Sequence, residues 1–240
     1  RMVIRKKSET AQEIIDRNLQ HPAFAKYTIL QIVNDIDPHS ELNKYVSEPK
    51  RNEYFFSMWM KILRLRFESI HAKGLESSEL HNDFEIIDQT IAQLYYTTMQ
   101  GKKANRNKKI EKDNLRAFYL RIKPMLQYIV DESEKLGGGF MVAHTGYHFI
   151  QLLDFFFGFE TSFILQLASR IVRCAAANSF TYDQSTLREI VKLTERLLAD
   201  HKDLLSDPDN FNSLIQILDL FANSGWQEAL ELTWRLKEIF

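Results

Sequence analysis

A paired-helix pattern over residues 207–240 constrains the fold of this chain more than any other feature. Asp207 precedes Pro208, and a capping aspartate before a proline is typical of a helix start, because the proline ring already holds φ near the helical value. Apolar residues then recur three and four positions apart, as on one buried face of a helix. The predicted inner face comprises Phe211, Leu214, Ile215, Leu218 and Phe221.

A second helix is expected after a very short turn. The segment 223–225 interrupts the apolar pattern, and Ser224 with Gln227 has the spacing of a capping box that opens a helix. The predicted inner face of this helix comprises Trp226, Ala229, Leu230, Thr233, Leu236 and Phe240. The two helices together predict an antiparallel helical hairpin.

The same periodicity continues through the rest of the chain, with no convincing strand. Eight glycines and five prolines in 240 residues leave few breaks, which favours long helices. Gly74 and Gly101 are expected to end two of them, and Pro124 predicts a kink or split in a third. The longer predicted helices cover residues 53–73, 78–99, 110–136, 140–157, 161–178 and 184–205. The predicted fold class is all-α.

Breaks in the pattern divide the chain into three predicted segments. The first is an N-terminal helical segment, 1–48, which a polar linker at 47–52 with Pro49 separates from the next. The second, 51–136, contains long helical hairpins and a basic loop at 102–109, and the third, 140–240, is a C-terminal helical-repeat region. The three glycines at 137–139 predict a flexible joint. They follow no strand and form neither common nucleotide-binding motif.

One hairpin resembles a tetratricopeptide repeat. Residues 207–240 span 34 positions, the period of that family, and Gly225-Trp226-Gln227-Glu228-Ala229-Leu230 resembles the segment that opens its second helix. The pairs 53–99 and 161–205 are each about 45 residues long, nearer the HEAT or armadillo period. The resemblance implies an irregular stack of antiparallel helical hairpins, an α-solenoid. An irregular helical bundle is the alternative, because short connections between amphipathic helices look alike in sequence.

Charge and cysteine content restrict the environment and the partners. The net charge is −1, but residues 1–123 carry 22 basic and 16 acidic side chains, whereas residues 124–240 carry 9 and 16. Such asymmetry favours steering of a charged partner. Cys174 is the only cysteine, so no internal disulfide forms and a reducing compartment is expected. The most apolar run, 149–159, is too short to span a bilayer and contains Asp154. We expect a soluble cytoplasmic protein, cut from a longer one because Arg1 precedes Met2.

His144 and His148 form the candidate metal site. Two histidines four positions apart on a helix face the same side, as in zinc enzymes, and Asp154 or Glu160 would add a carboxylate. The motif is incomplete, because Thr145 takes the position of the glutamate base that such enzymes carry. The alternative is a pair of histidines that hydrogen bond within packed helices.

The basic run is the candidate nucleic-acid site. It comprises Lys102, Lys103, Arg106, Lys108 and Lys109. Five cations in eight residues predict an exposed, mobile loop, and neutralisation of phosphates supplies most nucleic-acid affinity. No aromatic platform lies within the run, so a solvated loop without a ligand is the alternative.

Aromatic and acidic residues supply the remaining candidates. Trp59 and Trp226 fit buried helix faces, whereas Trp234 lies off the main stripe of its helix and is a candidate partner contact, with Tyr96 as a second. The acidic cluster around His81 and Asp83 has the composition of an ordinary helix start, where carboxylates complement the dipole.

Nearly every strong signal in the sequence concerns burial. We therefore expect a non-enzymatic protein-interaction module that serves as a helical scaffold or sensor segment of a larger protein, with a protein partner and no cofactor. Nucleic-acid binding through the run 102–109 and a metal-dependent enzyme using His144 and His148 are the two alternatives.

Overall fold

The structure, a computed structural model, describes residues 9–20, 49–74, 80–104, 108–136, 146–176, 184–225 and 227–236. Over these ranges the chain forms helices and no strand, so the predicted all-α class is confirmed. The α-helices are α1 (Glu9–Gln20), α2 (Pro49–Lys73), α3 (Leu80–Ala104), α4 (Lys108–Lys135), α5 (Gly146–Phe156), α6 (Thr161–Ala176), α7 (Gln184–Asp200), α8 (Pro208–Ser224) and α9 (Gln227–Leu236). Short 3-10 helices cover Phe157–Phe159 and Lys202–Ser206.

The chain divides into two compact units, Arg1–Ile122 and Lys123–Phe240. The division falls within the sequence of α4. The three-segment arrangement stays a prediction, because residue 48 and the three glycines at 137–139 lie outside the described ranges.

Two predicted helix boundaries are wrong. The segment 49–52, predicted as linker, belongs to α2, which begins at Pro49, where a proline fits because the first helical N–H has no partner. Gly101 does not end α3, which continues to Ala104. A glycine inside a helix costs only about 1 kcal/mol relative to alanine, and Lys102 and Lys103 complement the dipole at the helix end. Gly74 does end α2, with φ of 75°.

Pro124 does not split α4, which runs unbroken from Lys108 to Lys135. The proline is exposed, so the carbonyl that it leaves without a helical partner is on the solvent side. Met125 and Leu126 beside it are buried, and this packing offsets the missing hydrogen bond.

The core of the first unit lies between α2 and α3, which pack against each other. Most of the predicted inner residues of both helices are buried. Those of α2 are Met58, Trp59, Ile62, Leu63 and Phe67, and those of α3 are Leu80, Phe84, Ile87, Ile91 and Leu94. The spacing of apolar residues therefore placed these two helix faces correctly.

A buried ionic cluster joins three helices of this unit. Asp83 on α3, only 2% exposed, accepts hydrogen bonds from Arg66 Nη1 at 2.9 Å and from Ser69 Oγ and Lys73 Nζ at 3.0 Å. Arg66 Nη2 also donates to the carbonyl of Leu19 at 2.7 Å. That carbonyl belongs to the last turn of α1, where helical partners are missing. Asp83 therefore links α3 to α2 through buried hydrogen bonds, in addition to complementing the dipole at the start of α3.

The second unit contains α5 to α9 and the end of α4. Here α6 packs on α8 and α7 packs on α5. Arg170 of α6 donates to Asp131 at 2.7 Å and, through Nε, to Glu134 at 3.0 Å. Arg173 donates to Glu134 at 2.7 Å. These ion pairs tie α6 to the last turns of α4.

The Arg170 hydrogen bond lowers the pKa of Glu134, with Arg173 acting in the same direction. A carboxylate with a depressed pKa in the folded state stabilises the fold above its unfolded pKa, and that contribution is lost as the pH falls through the folded pKa. We expect Glu134→Gln to lower the free energy of unfolding by up to about 1 kcal/mol at pH 7, because the group is partly exposed. The difference from the parent should shrink as the pH falls below the ordinary glutamate pKa of about 4.3, and it should vanish only below the depressed pKa of the folded state. Urea melts at pH 7 and pH 3.5 test this, and a pH-independent deficit would contradict it.

Candidate interaction surface

The helix α8 begins and ends where the sequence predicts. The Asp207 side chain accepts hydrogen bonds from the backbone N–H groups of Asp209 at 2.8 Å and Asn210 at 3.2 Å, and Pro208 occupies the first turn. Gly225 follows in the left-handed conformation, with φ of 66°, which a glycine adopts at no steric cost. Both boundaries arise from local chemistry. The predicted capping box of Ser224 and Gln227 stays a prediction, because the Ser224 side chain is not among the described ones.

The rotation of α8 about its axis differs from the predicted one. Asn210, which is not part of the predicted inner face, is buried, and its Nδ2 donates to Ser162 Oγ at 3.0 Å and to the carbonyl of Leu204 at 3.1 Å. Farther along the helix, Ser169 Oγ of α6 donates to Gln216 Oε1 at 2.6 Å. The buried side of α8 comprises Asn210, Ser213, Leu214, Ile217, Leu220 and Phe221. Polar side chains that make hydrogen bonds thus occupy inner positions that a rule based on hydrophobicity assigns to apolar ones, although Asn210 Oδ1 is buried without a hydrogen-bond partner among the described residues.

Two apolar residues of the predicted inner face are consequently exposed. Phe211 retains 38% of its surface and Ile215 retains 39%, while Leu218 is half-buried. Positions 211, 215 and 218 are separated by four and three residues, so the three side chains lie in one row along α8. We call Phe211, Ile215 and Leu218 the α8 stripe.

Trp234 is exposed on α9, the helix that packs against α8. It retains 67% of its surface, as its position off the main stripe of that helix predicts. Leu232 of the same helix is buried. The α8 stripe and Trp234 therefore place four apolar side chains at least partly in solvent on two packed helices. The exposure of Trp234 could be predicted because its position falls off the apolar face of its helix. The positions of Phe211 and Ile215 instead predicted that both are buried.

The charged residues of α8 itself are acidic. The only charged residues of α8 are Asp209 and Asp219, and both are exposed. On α9, Glu231 is exposed and accepts a hydrogen bond from Gln227 at 3.0 Å. The two helices contain four acidic residues and one basic residue in total. Asp219, four positions after Ile215, thus places a negative charge beside an exposed apolar row.

Tyr96, the other predicted partner contact, is 47% exposed on α3 of the first unit. Its ring centroid lies 5.5 Å from that of Tyr95. Leu120, on α4, is 58% exposed. The sequence pattern gave no reason to single out Leu120.

The predicted basic loop is partly helical. Lys102 and Lys103 lie in the last turn of α3, and Lys108 and Lys109 lie in the first turn of α4, so the loop prediction is wrong for these four residues. Lysine is a good helix former, and its intrinsic propensity outweighs the repulsion between neighbours. Arg106 lies outside the described residues.

The proposed metal ligands are not assembled within the part of the chain that the structure describes. His148 is half-buried on α5, and its ring centroid lies 5.3 Å from that of Tyr147, whereas His144 lies outside the described residues. Arg196 Nη1 donates to the Asp154 carbonyl at 2.8 Å and to its carboxylate at 3.2 Å. Lys123 Nζ donates to Glu160 at 2.6 Å. Both proposed additional carboxylates are thus engaged by cations, and no group of three metal-binding side chains occurs among the described residues.

Cys174 is half-buried on α6. Burial raises the pKa of its thiol, and the charge of Glu134 acts in the same direction. A raised pKa lowers the thiolate fraction, which makes this cysteine a poor nucleophile.

None of the described helices combines the length and the apolar character that crossing a bilayer requires. No family model, no curated protein and no solved structure matches this sequence. The likeness of residues 207–240 to a tetratricopeptide repeat therefore rests on the residues of that hairpin alone.

Proposed function

We propose that this chain is a non-enzymatic protein-interaction module, a helical scaffold or sensor segment of a larger protein. The observation that supports it most is the exposure of Phe211 and Ile215 on α8, while the polar side chains of Asn210 and Ser213 are buried on the same helix. Exposed apolar surface on a helix that already has a well-packed inner face is typical of a site that another protein covers.

The energetics favour this use of the α8 stripe. Covering apolar surface stabilises a complex by about 25 cal/mol per Å² removed from water. Aromatic residues near the centre of an interface commonly carry 2 kcal/mol or more of its binding free energy. Trp234 and Phe211 are residues of that kind on two packed helices, so a partner that contacts both gains two aromatic anchors.

A helical-repeat arrangement is part of the same proposal. The α8–α9 hairpin has the short glycine turn of such repeats, and α8 packs on both α6 and α9. Stacked hairpins bury their faces against their neighbours, and the stack presents an extended surface for binding.

Photo-crosslinking at Ile215 tests the proposal. A photoreactive amino acid at position 215 in the full-length protein should capture a specific protein partner in cells, because this side chain is exposed within the α8 stripe. The same substitution at Arg188, an exposed residue of α7, is the control. Equal labelling at the two positions, or none at position 215, would contradict the proposed function.

Nucleic-acid binding is a second candidate, favoured by the placement of four lysines at the adjoining ends of α3 and α4. If the five cations each contact a phosphate, the affinity should fall about 500-fold when the salt concentration rises from 50 to 200 mM. Changing Lys102, Lys103, Arg106, Lys108 and Lys109 to alanine should then abolish binding of a labelled 20-nucleotide DNA, whereas changing Arg17 and Arg188 should not. Salt-independent binding, or none, would exclude this function.

A further inference from the structure

We infer that the α8 stripe binds a basic amphipathic helix of a partner protein, an inference that rests on the proposed function. The stripe is a straight row of three apolar side chains over two helical turns, about 10 Å long. Ridges of this kind pack into the groove between side-chain rows of a second helix. The occupant therefore carries apolar residues at positions i, i+3 or i+4, and i+7.

The backbone of α8 favours recognition through side chains. The N–H and C=O groups inside a helix are already paired with each other, so an extended peptide gains no backbone hydrogen bonds from it. The cap of Asp207 engages the N–H groups of Asp209 and Asn210 as well. A helix satisfies its own backbone groups before it binds, and its apolar face then supplies the contact.

The charge beside the stripe favours a partner whose contacting surface is positively charged. Asp219 lies one turn beyond Ile215, beside the stripe, whereas Asp209, two positions before Phe211, lies on the other side of α8. Both carboxylates are exposed, and α8 contains no lysine or arginine. Lysine or arginine on the flanks of the incoming helix would gain from the Asp219 charge, whereas acidic residues there would be repelled.

The same charge disfavours two other occupants. A second copy that paired through its own α8 stripe would bring the Asp219 carboxylates of both molecules together, which costs energy. A membrane surface rich in anionic lipids would likewise be repelled by Asp219. A cationic helix is the occupant that gains from both the apolar row and its acidic border.

Two matched peptide probes test the inference on the 240-residue chain. Each is an 18-residue labelled helix with leucines at positions i, i+4, i+7 and i+11, flanked by lysines in the basic probe and by glutamates in the acidic probe. Fluorescence anisotropy at 0.15 M salt should give at least 10-fold tighter binding of the basic probe. Asp219→Lys should weaken its binding at least 5-fold, whereas Asp200→Lys, the same charge change on an exposed residue of α7, should alter it less than 2-fold.

The outcomes separate the inference from the proposed function. Equal affinity for both probes, with crosslinking retained at position 215, would overturn the basic-helix partner and leave the interaction module in place. Loss of both probe binding and crosslinking would overturn the two together. Self-association in analytical ultracentrifugation, or binding to phosphatidylcholine vesicles, that is lost on Ile215→Asp would assign the stripe to another occupant and overturn the inference.

Discussion

Replacing Asp83 with asparagine is expected to lower the free energy of unfolding of the first unit by about 3–5 kcal/mol. The carboxylate is 2% exposed and accepts hydrogen bonds from Arg66, Ser69 and Lys73. Asparagine keeps the shape of the side chain but removes its charge, so Arg66, itself 4% exposed, is left without its anionic partner. An uncompensated buried guanidinium accounts for most of the expected loss.

The change should be measured by denaturant unfolding followed through the fluorescence of Trp59, which is buried in the same unit. Hydrogen exchange of α1 should quicken as well, because Arg66 also holds the Leu19 carbonyl near the end of that helix. Glu68→Gln is the matched control, since it removes a carboxylate from an exposed position of α2. We expect it to change stability by less than about 0.5 kcal/mol. A similarly small effect of the Asp83 substitution would show that the cluster contributes little.

Local sequence signals predicted the helices and several of their ends. The aspartate and proline at the start of α8 and the glycine after it act on the backbone within one turn, so their effect needs no knowledge of the tertiary structure. The same holds for the glycine at position 74. The buried faces of α2 and α3 were also predictable, because each has a single dominant apolar row that faces the other helix.

The ionic cluster was not predictable because its members are distant in sequence. Arg66 and Asp83 are 17 positions apart on different helices, and Arg66 and Leu19 are 47 apart. A carboxylate in the first turn of a helix is ordinarily explained by the dipole, so its pairing becomes visible only once the helices are packed. The lysines of the run 102–109 led to a different error. Their charge density predicted a loop, but both ends of the run are helical because lysine has a high helix propensity.

The orientation of α8 was mispredicted for a related reason. Its sequence carries apolar residues on more than one side, so periodicity alone fits two rotations of the helix. Hydrogen bonds from Asn210 to Ser162 and from Ser169 to Gln216 distinguish them, and both bonds join residues nearly 50 positions apart. The exposed row that supports the proposed function is the side that this rotation leaves uncovered.

Two adjacent residues of α8 therefore provide the sharpest test of the structure. Leu214 is fully buried, and its replacement by alanine should lower the free energy of unfolding by about 2–5 kcal/mol, because a cavity is left where the side chain packs. Ile215 is 39% exposed, and Ile215→Ala should cost less than about 1 kcal/mol. Both positions belong to the inner face predicted from sequence. If that prediction held, both substitutions would lower the free energy of unfolding by a similarly large amount.

Thermal and urea unfolding of the two single variants, with the signal followed by helical circular dichroism, measures the contrast. Binding of the basic peptide probe should show the opposite ranking of the two variants. Ile215→Ala should weaken binding directly, whereas Leu214→Ala should reduce it only by lowering the fraction of folded protein. Near-equal destabilisation by the two variants would mean that α8 is rotated toward the predicted face. Phe211 and Ile215 would then be core residues, and the surface to which the interaction function is assigned would not exist.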